Sequence, residues 1–203
     1  MSAIVSVAEA AHRICRGELV AYPTETVWGL AADARSASAT LRLFAWKGRD
    51  PEQPMSVLVG EYAALGELGA ETTPLSDALA AKFWPGPLTI VVRCARSFAP
   101  GIASAAGNVG FRCSPHPVAS ALASAAGVIT ATSFNRSGEA ACSTRAEAER
   151  CAGTALALVA GADAHGAAPS SVVDASGARL RVLREGAIPA QVLEAALTGG
   201  TRG

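Results

Sequence analysis

Four short polar segments interrupt an otherwise apolar chain, and each carries groups with chemical use beside an apolar run. The first is Tyr22-Pro23-Thr24-Glu25-Thr26-Val27-Trp28-Gly29-Leu30. Thr24 and Thr26 are two residues apart, so in an extended segment their hydroxyls face the same way. A hydroxyl both donates and accepts, which suits recognition of a small zwitterion; either threonine also suits a helix N-cap. The second is Lys47-Gly48-Arg49. Two cations there can converge on a polyphosphate, lysine as a point charge and arginine as a bidentate fork. Equally, a cation followed by glycine ends a helix.

The third segment, Thr132-Ser133-Phe134-Asn135-Arg136-Ser137-Gly138, follows an apolar run directly, with Ser133 and Asn135 on a shared side. It reads either as an Asn/Ser/Gly turn or as a ligand contact at the carboxyl end of a strand, where open α/β sheets collect ligands. The fourth pairs the stretch 169–174 with 182–186: Ser170 starts one strand and Arg184 ends another, either as a plain hairpin-like pair or as part of a site.

Other chemistries lack their signatures. No G-x-x-x-x-G-K-[ST] loop and no G-x-S-x-G elbow occur. The five cysteines form no C-x-x-C pair, which argues against zinc and for free thiols. Three scattered histidines give no dedicated metal site.

The elements that must position these segments alternate. Helices are expected over 6–15, from Ser36 or Ser38 onward, and over 75–83, 117–126, 143–151 and 189–197. Pro117 suits a first turn, and Glu147 stands where a capping box puts it. Strands are expected over 18–22, 55–59, 88–94, 108–113, 128–133, 156–160, 171–174 and 180–183. Interleaved strands and helices predict one α/β domain. Late strands without intervening helices predict a twisted, mixed parallel and antiparallel sheet flanked by helices.

Composition agrees. Half of the 203 residues are apolar and 17% are charged, with zero net charge, so a strong nucleic-acid footprint is not visible in the total. No signal peptide and no apolar run of membrane-spanning length occurs, and a cytoplasmic location is expected. Fifteen of the 17 basic residues are arginine; Lys47 and Lys82 are the exceptions. That makes each lysine a question, because ammonium and guanidinium are not interchangeable.

In order, Tyr22 to Leu30, Lys47-Gly48-Arg49, Phe83 to Thr89, Gly110-Phe111-Arg112, Thr132 to Asn135 with Ser137-Gly138, Ser170 to Asp174 and Leu183 to Gly186 resemble the YrdC/TsaC family. The resemblance runs from about 17 to 186 and implies a single YrdC-like domain over 1–203, with a last helix at 189–198 and a short tail. It also implies an activity: threonylcarbamoyl-AMP synthesis from L-threonine, bicarbonate and ATP, with loss of pyrophosphate. The product would serve N6-threonylcarbamoyladenosine formation in tRNA, through downstream threonylcarbamoyl-transfer proteins.

The resemblance assigns roles by position. Lys47, Arg49, Ser133 and Asn135 would surround the nucleotide phosphates and the reacting carboxylate. Thr24, Arg112, Ala131 and Ser170 would contact threonine, and Asn108, Ala141 and Arg184 would lie against the nucleotide. Mg²⁺ would enter with ATP, held mainly by phosphates. Binding of tRNA or double-stranded RNA is permitted by the resemblance, and no membrane partner is implied. Trp28, Phe134 and Ser171 depart from the family's usual Tyr, Ala and Thr; Phe134 leaves the pocket shape open. The rival readings are a non-catalytic RNA-binding relative of the same fold, a carbamoyl-adenylating relative of the hydrogenase-maturation type, and a degenerate paralogue.

Overall fold

The computed structural model describes residues 2–163 and 168–198. Its elements run β1 (Ile4–Val5), α1 (Val7–Cys15), β2 (Val20–Tyr22), β3 (Gly29–Ala31), α2 (Ala37–Lys47), β4 (Ser56–Val59), α3 (Ala64–Glu67), β5 (Ala70–Glu71), α4 (Pro74–Phe83), β6 (Leu88–Cys94), β7 (Asn108–Cys113), α5 (Pro117–Ala126), β8 (Ile129–Ser133), α6 (Arg145–Ala152), β9 (Ala157–Val159), β10 (Ser171–Asp174), β11 (Arg181–Arg184) and α7 (Ala190–Thr198). The strands form one sheet in the order β1-β9-β2-β3-β8-β4-β7-β6-β10-β11, with β5 beside β6. The pairing is mixed: β4 runs parallel to β7 and antiparallel to β8, and β10 runs parallel to β6 and antiparallel to β11. The expected fold class holds.

Local chemistry sets the helix ends. Ser6 and Ser36 cap α1 and α2, and Thr144 with Glu147 forms the expected capping box of α6. Gly48 ends α2 at φ 63°, a left-handed conformation that glycine adopts without steric cost. Four elements were not legible in the sequence. Three of them, β1, β5 and α3, have two to four residues each. The fourth, β3, lies inside the polar segment after β2, where Gly29-Leu30-Ala31 contains no β-branched residue.

Side-chain alternation divides the sheet into two faces. Val57, Val59, Leu88, Ile90, Val109, Phe111 and Val173 enter a large core with α2, α4, α6 and α7. On the opposite face, Val20, Tyr22, Ala31, Leu58 and Ile129 pack under α1 and α5. Those two helices cover the β9-β2-β3-β8-β4 side only. The uncovered remainder of that face is where the polar segments gather.

Candidate active site

A cavity of about 230 Å³ opens on this uncovered face. Tyr22 of β2 and Arg184 of β11 both line it. Seven inter-strand steps separate these strands in the sheet order, about 34 Å if the sheet were flat. The sheet therefore curls around the cavity.

The segment after β2 supplies the first wall. Thr24 Oγ1 donates to Val27 O at 2.6 Å and accepts from Thr26 N at 3.1 Å; the two threonine hydroxyls lie 3.0 Å apart. Thr24 and Thr26 are each 2% exposed, so they are part of a folded turn and cap no helix. Gly29 is required here: a Cβ would stand 2.5 Å from the Tyr22 ring.

Arg112, near the end of β7, forms the floor. Its Nη2 donates to Glu25 Oε1 at 2.6 Å and to Thr26 Oγ1 at 2.7 Å. Ser114 Oγ donates to the other Glu25 oxygen. Glu25 was not singled out in the sequence; its signal was a carboxylate set between two threonines, close to a site expected to bind anions.

The far wall comes from the C-terminal strands. Ser170 Oγ lies 3.0 Å from Thr89 Oγ1, and Arg184 Nη2 donates to Ser170 O at 2.7 Å. Arg184 is exposed along its length, yet its guanidinium folds onto Ser170. Its pKa is pushed down by partial burial and by the positive charges of Arg112 and Arg49. Arg49 lines the cavity too, donates to Pro54 O at 3.1 Å, and is pushed down by burial.

Ser133 and Ala131, from β8, complete the lining. Ser133 Oγ donates to Asn135 Oδ1 at 2.7 Å, and Asn135 Nδ2 donates to Glu139 O at 2.7 Å. Lys47 is only 3% exposed and is not part of the lining; its ammonium sits behind the wall. It donates to Ser133 O at 2.5 Å, Asn135 O at 2.9 Å and Asn135 Oδ1 at 3.1 Å. Burial and the neighbouring Arg49 charge push its pKa down to about 8. The three oxygens work the other way, because bonds to the charged form favour it.

Three guanidinium groups thus face one cavity, with a single carboxylate, Glu25, behind them. Four buried side-chain N–H groups lack a partner among the described residues, and three of these belong to residues lining this cavity: Trp28, Arg49 and Arg112. Burying an N–H without a partner costs about 1–3 kcal/mol. The cavity is built to receive an acceptor-rich anion.

A family model described as Sua5/YciO/YrdC, telomere recombination, matches residues 12–186. The chain belongs to the Sua5/YciO/YrdC family. A Thiobacillus denitrificans protein named threonylcarbamoyl-AMP synthase is 34% identical over 168 residues, covering 82% of this chain and 89% of its own. A Vibrio cholerae protein of the same name is 34% identical over 190 residues, covering 92% of this chain and 100% of its own. The structure of Pyrococcus abyssi Sua5 complexed with L-threonine superposes with a TM-score of 0.87 at 30% identity, covering 94% of this chain. This chain spans 57% of that Sua5 protein.

Seen as a Sua5/YciO/YrdC cavity, the lining includes Thr24, Arg49, Arg112, Ala131, Ser133, Ser170 and Arg184 among the residues expected from sequence. Four lie outside it: Lys47 and Asn135, bonded to each other behind the Ser133 wall, and Asn108 and Ala141. Asn108 shares a strand face with Arg112 but stands four residues earlier, about 13 Å away along β7, where its Nδ2 donates to Ser176 Oγ at 3.3 Å. Ala141 is half-buried and precedes Cys142, whose backbone pairs with Trp28 and Phe134.

Of the departures from the usual family residues, Phe134 and Ser171 lie outside the cavity lining, and Trp28 touches it from the core side. Phe134 is fully buried in the larger core and stacks on Trp46 at 5.1 Å, with Arg136 on that indole at 4.3 Å. Trp28 is also fully buried in that core. Ser171 Oγ bonds Ile188 O, Ile188 N and Gly186 N, tying β10 to the segment before α7. The ring at position 134 therefore leaves the pocket open.

Proposed function

We propose that this chain is an L-threonylcarbamoyladenylate synthase, a nucleotidyltransferase that makes threonylcarbamoyl-AMP for tRNA N6-threonylcarbamoyladenosine. The observation that carries this reading is the convergence of Arg49, Arg112 and Arg184 on a cavity also lined by Thr24 and Ser170. The names of the relatives and the L-threonine complex of the Pyrococcus protein support it.

The chemistry runs between anions. Threonine's amine and bicarbonate give an N-carboxy group and water. An oxygen of that carboxylate attacks the α-phosphorus of ATP, the bond to the β-phosphate breaks, and pyrophosphate leaves. Such a step needs positioning and charge neutralisation more than a protein nucleophile. Arg112, with Thr24 and Ser170, would hold the threonine carboxylate and hydroxyl. Arg49 and Arg184 would face the phosphates, and an extended nucleotide would run along the open face of β7 toward Asn108.

Mg²⁺ would offset phosphate charge when bound. The ion would be carried mainly by substrate oxygens. Ser133 Oγ suits a place beside it, since its proton is committed to Asn135 and its lone pairs remain. No helix among the described residues is long and apolar enough to cross a membrane. A tRNA-modifying role would place the reaction in the cytoplasm.

Pyrophosphate release from ATP, with Mg²⁺ and with threonine or bicarbonate omitted in turn, tests this. Release that needs both substrates is expected. Nucleotide binding with no release under any condition would overturn the synthase in favour of a non-catalytic relative.

A further inference from the structure

An ammonium carries three protons. In Lys47 each has its own oxygen: Ser133 O, Asn135 O and Asn135 Oδ1. At 3% exposure, and outside the cavity lining, Lys47 has no proton left for a phosphate. We propose that Lys47 is a positioning residue, which serves adenylation by shaping the Ser133–Asn135 loop and does not touch the polyphosphate. The proposal rests on the nucleotide reading of the cavity.

The wiring shows what the loop gains. Asn135 Oδ1 accepts from Lys47 Nζ and from Ser133 Oγ, while Nδ2 donates to Glu139 O, so the carboxamide has one orientation. That orientation commits the Ser133 proton and leaves its lone pairs to the cavity. The main chain closes the same knot, as Ser137 N donates to Lys47 O at 2.7 Å. Three acceptors converging on one nitrogen also explain a lysine in a chain with fifteen arginines. A guanidinium spreads its donors over three nitrogens in a plane and cannot meet one converging set.

The chain's two lysines make a direct test possible. Native protein labelled at lysine Cε gives two signals, and Lys82→Arg, on the exposed face of α4, assigns them. The Lys47 signal is expected to move with Mg-ATP no more than with AMP. Movement with Mg-ATP and with pyrophosphate alone, but not with AMP, would put the ammonium on the phosphates and overturn the proposal.

Two variants add a second readout. Lys47→Met and Lys47→Arg are expected to lose turnover alike, about 100-fold or more. Measured without Mg²⁺, their ratio of ATP to AMP affinity should stay within about threefold of native, since Lys47 touches neither ligand. Retention of a third or so of native turnover by Lys47→Arg, or a fall of about tenfold in that ratio, sinks the idea. If neither variant melts cooperatively, the signals of the native chain decide. Binding of neither nucleotide by native protein removes the nucleotide reading itself, and this proposal with it.

Discussion

The two faces of the central strands behave as opposites, though their residues alternate one by one. Phe111 lies in the packed core and Arg112, its neighbour, lies on the cavity floor; Phe134 is stacked on Trp46 while Ser133 lines the cavity. On the packed face, side-chain contacts are made within the chain. On the cavity face, three guanidinium groups are held in place by neighbouring oxygens. The difference separates what keeps the chain folded from what it keeps for a ligand, and substitutions on the two faces should fail in different ways.

Phe134→Ala should break the packed face. Removing a fully buried ring costs about 3–5 kcal/mol, read as a melting temperature lower by about 10 °C. Turnover well below that temperature should survive in part, because the ring is turned away from the cavity.

Arg49→Ala and Arg112→Ala should do the reverse. Arg49→Ala removes a donor aimed at the phosphates and Arg112→Ala one that positions the threonine carboxylate, and pyrophosphate release should fall about 100-fold or more in each. For Arg49→Ala the melting temperature should hold or rise, because burial disfavours its charge in the empty cavity. A large loss of stability in that variant would mean that the two faces are not energetically separate.

Glu25→Gln sharpens the contrast within the cavity itself. The carboxylate opposes an anion-binding floor, and the structure gives it two tasks, the Arg112 guanidinium and the Ser114 hydroxyl. Loosening Arg112 should raise the threonine KM about tenfold, in line with one charge-assisted hydrogen bond. The ATP KM should stay put; a change confined to ATP would show that Arg112 serves the phosphates.

The smallest effect is a split with pH. The folded pKa of Lys47, about 8, lies below that of the unfolded chain, so the unfolded state binds more protons between the two values. Stability then rises as pH climbs from 8 toward the lysine range. Turnover should fall over the same interval by a factor of a few, because a neutral amine has two protons for three oxygens. Melting curves and initial rates across that range check the opposite signs.

Much of this arrangement was legible in the chain. The apolar face marked α1, capping residues marked α6 and narrowed the start of α2 to Ser36 or Ser38, and a β-branched run marked β6. The shared side of Thr24 and Thr26, and of Ser133 and Asn135, followed from two-residue spacing. What spacing could not show was depth. Lys47 and Arg49 share a motif, yet one faces inward and the other the cavity, a choice made by which oxygens lie behind the helix end. Glu25 was missed because its meaning depends on Arg112, 87 positions away. β3 was missed because its stability comes from pairing with β2 and β8, with no β-former in its own sequence.

The place of β10 has a consequence for biosynthesis. Its partner β6 spans Leu88–Cys94 and leaves the ribosome about eighty residues before Ser171–Asp174 can pair with it. During that interval one edge of β6 stands open to any extended chain nearby. The same late strand brings Ser170, and β11 brings Arg184, to the cavity. Closure of the exposed edge therefore precedes completion of the binding site, and a nascent chain gains its ligand only after that edge is covered.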